Sequence, residues 1–284
     1  RDTAPAAGAR MPPSGMNTIR RALRFALLLW RRREAVFELA RAGFEARHQR
    51  AYLGALWSFL QPVAFIGVLY FVFSVGLRAN PGGREAFLPF LICGVIAWQF
   101  FAQSLADLTR SLRIHSHLVA RGDFPLAAVP FARLLASLPP HLVLILLAMA
   151  VYWAQGTPPG PYALQVFYYG ACMGLLLLGL GWGACAASLF ADDVTHAVGI
   201  AIQFGFWLTP IFWSPSLLPA EIRWLFDLNP MTYIVEGYRD SLLRGIPFWS
   251  KPLQGACFWM WTGGCLLAGG AIFRRLRPHF AEVL

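Results

Sequence analysis

The sequence predicts an all-α integral membrane protein with six transmembrane helices. Hydrophobic residues make up 57% of the 284 positions and charged residues only 13%, a balance that a soluble core of this size does not have. Six apolar segments each approach the roughly 20 residues that span a bilayer. Arginine supplies almost all of the net charge of +10, and the arginines crowd the start of the chain.

The chain begins with two stretches that lack a transmembrane pattern. Residues 1–17 are rich in Ala, Pro, Gly and Arg without apolar periodicity, which predicts a disordered tail. Residues 18–52 predict amphipathic helices in the cytoplasmic membrane interface, with Phe37, Ala40 and Phe44 on one side. No polar domain is present to bind nucleic acid, so the basic residues predict anionic membrane lipids as partners.

Residues 53–284 are predicted to form the transmembrane domain. Its six spans are expected at about 55–77, 87–107, 126–153, 163–190, 194–213 and 256–273. An even number of spans puts both termini on one side, and the arginines outside the first and last spans place that side in the cytoplasm. The loop at 110–124 is then cytoplasmic, and the region 214–245 lies on the far side.

Small residues and prolines mark features within the spans. Prolines in the third span, at 130, 139 and 140, predict a kink. In the fourth span, Gly170 and Gly174 form one GxxxG pair and Gly179 and Gly183 another, which favours close helix contact, either inside the chain or between two copies. The cysteines lie in apolar runs without CxxC spacing and are interpreted as core residues.

The region between the fifth and sixth spans predicts a broken helix. The apolar run that reaches Trp213 is expected to stop at Pro215 and Pro219. A second helix begins with Asn229 as its N-cap and Pro230 at the first helical position. It ends near Arg244, because Gly245 stands at the position that follows a C-cap.

This second helix is amphipathic and charged. Its charged residues are predicted to lie away from the apolar face, as the pairs Glu236–Arg239 and Asp240–Arg244. Each pair is expected to contribute about a few tenths of a kcal/mol when exposed and more when shielded. If the first pair is real, swapping its two charges is expected to restore part of the seal of the channel that Arg239→Glu breaks. A broken, charged helix at membrane depth must pack on protein or line a water-filled cavity; the alternative is an ordinary interfacial loop helix.

The sequence predicts no catalytic, metal or cofactor site in this chain. The only lysine, Lys251, lies between Ser250 and Pro252 and is no part of a phosphate-binding loop, so ATP and Mg are expected on a partner. His115 and His117 are two residues apart and would diverge on a helix, which disfavours a metal pair. Asp192 and Asp193 are interpreted as solvated carboxylates.

Aromatic residues make up 15% of the chain, and several lie inside spans. Lipid-facing packing explains most such residues, but rings also form the walls of sugar channels, since their faces meet the C–H patches of pyranoses. Both interpretations stay open from the residues alone. The rings predicted to line a substrate conduit are Trp57, Phe59, Tyr70, Phe73, Phe204 and Trp207.

Four motifs, in order around the spans, carry a resemblance. They are Leu53–Pro62 (LGALWSFLQP), Phe124–Leu126 (FPL), Thr209–Trp213 (TPIFW), and Asn229–Met231 (NPM) followed by Tyr238–Arg239. From about residue 35 to its end, the chain resembles the permease subunit of type-2 ABC exporters for polysaccharides, the O-antigen, capsule and teichoic acid exporters.

The resemblance implies a homodimer in the bacterial inner membrane, served by two copies of a separate ATP-binding subunit, with a lipid-linked glycan as substrate. It implies a coupling segment at 110–124 and an outer gate at 214–245. The implied coupling residues are Arg113, His117, Arg121, Phe124 and Pro125. The implied gate residues are Pro210, Pro215, Pro219, Asn229, Pro230, Glu236, Tyr238 and Arg239. The glycan is implied to enter near Arg24, Arg41, Arg47 and Arg50.

Three alternatives are weaker. An exporter of the same superfamily could carry a small molecule or lipid instead; the aromatic content favours glycan only weakly, so the motif set decides. A membrane-embedded transferase would need His or carboxylate residues converging at one membrane face. A passive channel would need polar residues facing inward in several spans. The sequence does not indicate the sugar repeat, the lipid carrier or any recognised chain-end modification.

Overall fold

The computed structural model describes residues 25, 27–48, 54–78, 86–116, 118 and 124–283, and all regular structure among them is helical. The predicted tail at 1–17 lies outside these residues. The helices are α1 (Arg33–His48), α2 (Trp57–Tyr70, continued by a π-helical stretch Phe71–Gly76), α3 (Phe87–Ile114), α4 (Ala128–Ala154), α5 (Gln165–Ala187), α6 (Asp193–Leu208), α7 (Ala220–Asp227), α8 (Pro230–Arg239, continued by a π-helical turn Asp240–Arg244), α9 (Pro252–Leu276) and α10 (Phe280–Val283).

Five helical stretches in the described part of the chain are long and apolar enough to cross a membrane: Trp57–Gly76, Phe87–Ile114, Ala128–Ala154, Pro161–Ala187 and Pro252–Val283. The chain is therefore a multi-pass membrane protein, as its composition predicts. The expected fifth span, 194–213, contains α6, which has 16 residues and is about 24 Å long at 1.5 Å per residue. A hydrocarbon core is about 30 Å thick, so the total of six stays a prediction.

Helix α3 is the centre of the bundle. It packs against α2, α4, α5, α6 and α8, and most of its length is buried. With 28 residues it is about 42 Å long, and it continues past the predicted end at 107 to Ile114. Helix α3 thus joins the residues near the 209–245 segment to the segment predicted to couple to the ATPase.

The second GxxxG pair makes an internal helix contact. A Cβ on Gly269 of α9 would lie 1.9 Å from the Gly179 backbone oxygen, and one on Gly183 would lie 3.3 Å from the Gly269 Cα. Only glycine at these positions lets α5 and α9 approach so closely. Of the two interpretations of the motif, packing inside the chain is the one observed.

Helix α1 packs on the start of α4, where Val36 and Ala40 contact Ala128 and Ala132. Val36 shares this contact with Ala40 because residues four apart share a face of a helix. Phe37 is 73% exposed and takes no part in the contact, so the predicted apolar side with Phe37, Ala40 and Phe44 in the membrane interface stays a prediction.

The remaining internal predictions have mixed outcomes. Helix α4 runs without interruption through Pro139 and Pro140, and the kink stays a prediction. The five cysteines are free of disulfides, and Cys93, Cys172 and Cys185 are buried as predicted for core residues. Cys257 and Cys265 are only partly buried, so the core interpretation does not describe them fully.

Candidate transport site

The break between the fifth and sixth predicted spans begins at Leu208. Thr209 is extended at ψ 138°, the conformation that a residue before proline favours, and Pro210 follows it. The predicted end of the helix at Trp213, caused by Pro215 and Pro219, is therefore wrong. Pro215 instead begins a short 3-10 turn, and Pro219 precedes α7 as its N-cap residue.

Asn229 fixes the start of α8 as predicted. Its Oδ1 accepts a hydrogen bond from the Met231 backbone N–H at 2.9 Å, and its Nδ2 donates to the Thr209 Oγ1 at 3.0 Å. Gly245 adopts φ 64° after the last helical residue, which confirms the predicted end. Asn229 thus caps one helix and also ties it to the residue at which α6 ends.

Helix α8 is buried inside the bundle. Most of its residues, from Met231 to Arg239, are buried, and it packs against α3, α5 and α9. The alternative of an interfacial loop helix therefore does not describe it. The protein-packed form of a broken helix, which membrane depth requires, is the one observed.

Arg239 joins three parts of the chain. Its side chain is 0% exposed, and its guanidinium lies 3.3 Å from the centroid of the Phe90 ring. Nη2 donates to the Ile211 backbone oxygen at 2.7 Å and Nη1 to Glu236 Oε1 at 2.6 Å. Arg239 therefore holds the 209–213 stretch and α8 against α3.

The predicted ion pairs Glu236–Arg239 and Asp240–Arg244 are both present, at 2.6 and 3.0 Å. They belong to one network, since Arg244 also pairs with Glu236 at 2.5 Å and Lys251 pairs with Asp240. Asp240 is 2% exposed, so these are shielded pairs. Glu236 is thus bonded by two guanidinium groups, Arg239 and Arg244, inside the bundle.

Gly94 of α3 allows the 209–213 stretch to approach. A Cβ at this position would lie 2.3 Å from the Ile211 backbone oxygen and 3.0 Å from Arg239 Nη2. Neither Gly94 nor the carbonyl acceptors of Arg239 were indicated by the sequence, because a backbone oxygen carries no residue-specific signal. Tyr238, the neighbouring predicted gate residue, is buried and bonds to His141 Nε2 at 2.8 Å.

The predicted conduit rings divide into two groups. Trp57, Phe204 and Trp207 are 51%, 62% and 59% exposed. They lie on α2 and α6, and α6 has no buried residue. Tyr70 is also exposed, with its ring 6.3 Å from that of Phe87.

Phe59 and Phe73 instead lie against the core of the chain. The Phe73 ring stacks on Phe212 at 5.3 Å and meets Phe87 edge to face at 5.8 Å. Packing inside the protomer accounts for these two rings. Trp207 also meets the Phe212 ring edge to face at 5.3 Å, but it keeps most of its surface exposed, as Trp57 and Phe204 do.

The predicted coupling segment starts at the end of α3. Arg113 donates to Asp192 Oδ1 and to the Ser188 backbone oxygen, and Ser188 Oγ donates to the Thr109 backbone oxygen at 2.7 Å. Asp192 is thus paired rather than only solvated. The hydrogen bond from Arg113 and its charge lower the pKa of Asp192.

The other coupling residues are only partly described. His117 and Arg121 lie outside the described residues. Phe124 is partly buried between the α1–α4 contact and the cluster around Phe280. The Pro125 backbone oxygen accepts from the Ala128 N–H at 2.7 Å as α4 begins.

Of the arginines predicted near the glycan entrance, only Arg41 has a described side chain. It is exposed and pairs with Glu45 at 2.9 Å on α1, which raises the pKa of Arg41 through the hydrogen bond to Glu45 and its charge. Arg24 and Arg50 lie outside the described residues, and so does the side chain of Arg47.

Residues 34–243 match the family model of the ABC-2 type transporter. This match runs from α1 to the turn after α8. It therefore contains the broken helix and the exposed rings of α2 and α6. The chain belongs to the ABC-2 type transporter family. It is accordingly a transport permease, and membership implies work with an ATP-binding subunit.

The curated relatives of this ABC-2 chain that are described below share one protein name. An O-antigen export system permease protein RfbA of Klebsiella pneumoniae is 24% identical over 251 residues, which cover 84% of this chain and 91% of that protein. A second protein of that name from Klebsiella pneumoniae is 24% identical over 244 residues, 84% of this chain and 91% of its own. A Myxococcus xanthus protein of the same name is 23% identical over 256 residues, 89% of this chain and 96% of its own.

Proposed function

We propose that the chain is the membrane permease of an exporter that moves a lipid-linked polysaccharide, of the O-antigen or capsular type, out of the cytoplasm. The observation that carries the proposal is the pair of aromatic faces on α2 and α6, with Trp57, Phe204 and Trp207 exposed. Aromatic faces are suited to the C–H patches of sugars. The names of the relatives, which export O-antigen, favour the same substrate class.

The conduit is completed by a second copy of the chain. Hardly any residue of α2 is fully buried and none of α6 is, so their outer faces are available to a partner copy across a two-fold axis. In the dimer the exposed rings of both copies face a shared passage. The 209–245 segment closes the far end of that passage as the outer gate.

ATP hydrolysis is supplied by two copies of a separate subunit, which bind ATP and Mg. They dock on the cytoplasmic 110–124 segment, and the Arg113 bonds to Asp192 and Ser188 make the end of α3 rigid there. Because α3 continues to the Arg239 contacts, a movement at its cytoplasmic end displaces the gate. The protein lies in the bacterial inner membrane with both termini in the cytoplasm, where α1 and the arginines around it receive the lipid-linked glycan.

Copurification tests the substrate. The permease is isolated with its ATPase from the source bacterium in the presence of ATP, with an ATPase variant that binds but does not hydrolyse it, and bound glycolipid is identified by mass spectrometry. We expect a lipid-linked glycan in the complex and its accumulation in the cytoplasm of cells that lack the permease. Normal surface polymer in those cells, with no glycan in the complex, would contradict the proposal.

A further inference from the structure

A small polar cavity lies inside the bundle between α2, α3 and α4. Its volume is about 20 Å³, enough for one water molecule or one hydroxyl group. Its polar lining residues are Ser58, Gln99, Gln103, Ser104, Ser137 and His141. Among the described residues no charged side chain lines it, so the lining suits a neutral group that both donates and accepts hydrogen bonds.

Some of these polar groups bond to one another, and one polar atom has no partner. Gln103 Nε2 donates to Gln99 Oε1 at 3.4 Å. The hydroxyls of Ser104 and Ser137 lie 2.9 Å apart, and Ser137 also donates to the Leu134 backbone oxygen at 2.7 Å. His141 is 4% exposed, and its Nδ1 has no hydrogen-bond partner in the described part of the chain. A buried polar atom at the depth of a span is costly unless it is bonded, so this nitrogen points to a ligand.

The cavity borders the start of α2, where the predicted conduit ring Trp57 lies. Ser58, in its wall, follows Trp57, the exposed ring at the start of α2. The opposite side of the His141 ring leads to the gate, since Nε2 lies 2.8 Å from the Tyr238 hydroxyl of α8. The Phe100 ring stacks on the His141 ring, with 4.2 Å between the centroids, and fixes its orientation.

We propose that this cavity is a hydroxyl-binding subsite beside the conduit, in which His141 Nδ1 and the neighbouring glutamines bond a hydroxyl group of the transported glycan. The proposal rests on the proposed function, because the glycan supplies the hydroxyl groups. Since the imidazole ring is rigid, a ligand that fixes Nδ1 also fixes the hydrogen bond that Nε2 shares with Tyr238. The subsite therefore links a hydroxyl group in the cavity to Tyr238 of α8 through one imidazole ring.

Photo-crosslinking in cells that make the native polymer tests the subsite. A benzophenone amino acid replaces Gln103 in the cavity, Trp57 in the conduit, or Leu146, an exposed residue of α4 that serves as the control. Illumination should attach periodate-sensitive polymer at Gln103 and Trp57 but not at Leu146. His141→Phe in the Gln103 background should lower the cross-linked fraction about 2- to 10-fold, the factor that one hydrogen bond supplies, while the amount of assembled complex is unchanged.

The outcomes separate the two proposals. Polymer attached at Trp57 but never at Gln103 would leave the conduit intact and reduce the cavity to a site for one water molecule. Polymer attached at neither position, in cells that still export through this complex, would overturn the conduit itself. If the bulky residue prevents assembly, Gln103→Cys replaces it. A thiol reagent, followed by mass spectrometry of that peptide, should then modify Cys more slowly in cells that make the polymer, and equal rates in both cells would overturn the subsite.

Discussion

Helix α8 with its turn carries Glu236, Arg239, Asp240 and Arg244, yet it is mostly buried. Helices α2 and α6 carry almost no charge, yet they expose most of their surface. In a soluble protein the apolar helices would be buried and the charged helix exposed. Within a membrane, an apolar helix is solvated by lipid and needs no protein partner, whereas each charge must find partners inside the chain. In this permease the charged helix is therefore buried and the apolar helices are exposed.

The difference also separates two kinds of functional surface. The 209–245 segment is fixed by bonds within the protomer, so substitutions there are expected to change stability together with gating. The faces of α2 and α6 have few internal contacts, so substitutions there are expected to change transport while the fold survives. Each of the following variants tests one side of this comparison.

Arg239→Leu is expected to have the largest effect. It leaves Glu236 and two backbone oxygens without their buried donor, and breaking such a pair lowers the free energy of unfolding by about 3–5 kcal/mol. The control is Arg275→Leu on α9, an exposed arginine, for which we expect a change within about 0.5 kcal/mol. Thermal unfolding of the detergent-solubilised complex, followed by size-exclusion chromatography, measures both. Equal melting temperatures for the two variants would contradict the role given to Arg239.

The structure changes the expectation for a charge swap at this pair. Glu236→Arg with Arg239→Glu restores opposite charges, but a carboxylate at 239 faces the Ile211 and Phe90 backbone oxygens, to which Arg239 donates. Acceptor then meets acceptor, so the swap should not recover stability. Recovery would show that the ion pair matters and the carbonyl contacts do not.

Gly94→Ala should have the next largest effect. A methyl group 2.3 Å from the Ile211 oxygen forces the 209–213 stretch away from α3, and such overpacking lowers the free energy of unfolding by about 1–3 kcal/mol. Gly199→Ala on α6 is the matched control, since a Cβ there meets nothing within 4 Å, and replacing glycine in a helix favours folding slightly. Opposite changes in melting temperature are expected. A loss of stability at both glycines would mean that α6 is more tightly packed than the structure shows.

The 209–245 segment shows which features of the site could be predicted from the sequence and which could not. The start and end of α8 follow from Asn229, Pro230 and Gly245, which act on their own neighbours, so the sequence predicted both. The Thr209–Pro210 break was equally local, but the continuous apolar run to Trp213 concealed it. By contrast, the contacts of Arg239 with Phe90 and Ile211 join distant parts of the chain through backbone oxygens, and no residue type marks them.

Asn229→Ala tests the cap of α8. It removes the bond to the Met231 N–H and the bond to Thr209, and loss of an N-cap lowers the free energy of unfolding by about 1 kcal/mol. Thr209→Val removes only the second bond and separates the two contributions. Dye leakage from vesicles that contain the complex should rise more in Asn229→Ala than in Thr209→Val. Equal leakage would assign the seal to the side-chain bond and not to the helix start.

The exposed rings should show the opposite behaviour. Trp57→Ala and Trp207→Ala are expected to change the free energy of unfolding by less than about 0.5 kcal/mol each, while polymer export falls. Trp153→Ala on α4 is the control, because Trp153 is 73% exposed but lies outside the predicted conduit. Export is measured as surface polymer per assembled complex. Equal export in all three variants would return the α2 and α6 rings to lipid-facing packing.

The smallest effect is expected at the exposed Arg113–Asp192 pair. Arg113 lowers the pKa of Asp192, so this carboxylate stabilises the fold at pH values above the ordinary Asp pKa of about 3.9. The contribution is lost as the pH falls through the lowered pKa of the folded state. Asp192→Asn should therefore melt slightly below the wild type at about pH 6, and the difference should vanish once the pH is below the lowered pKa of Asp192. High salt should also reduce the difference, since exposed pairs are screened. A difference that persists in acid would show that Asp192 acts through its shape and hydrogen bond instead of its charge.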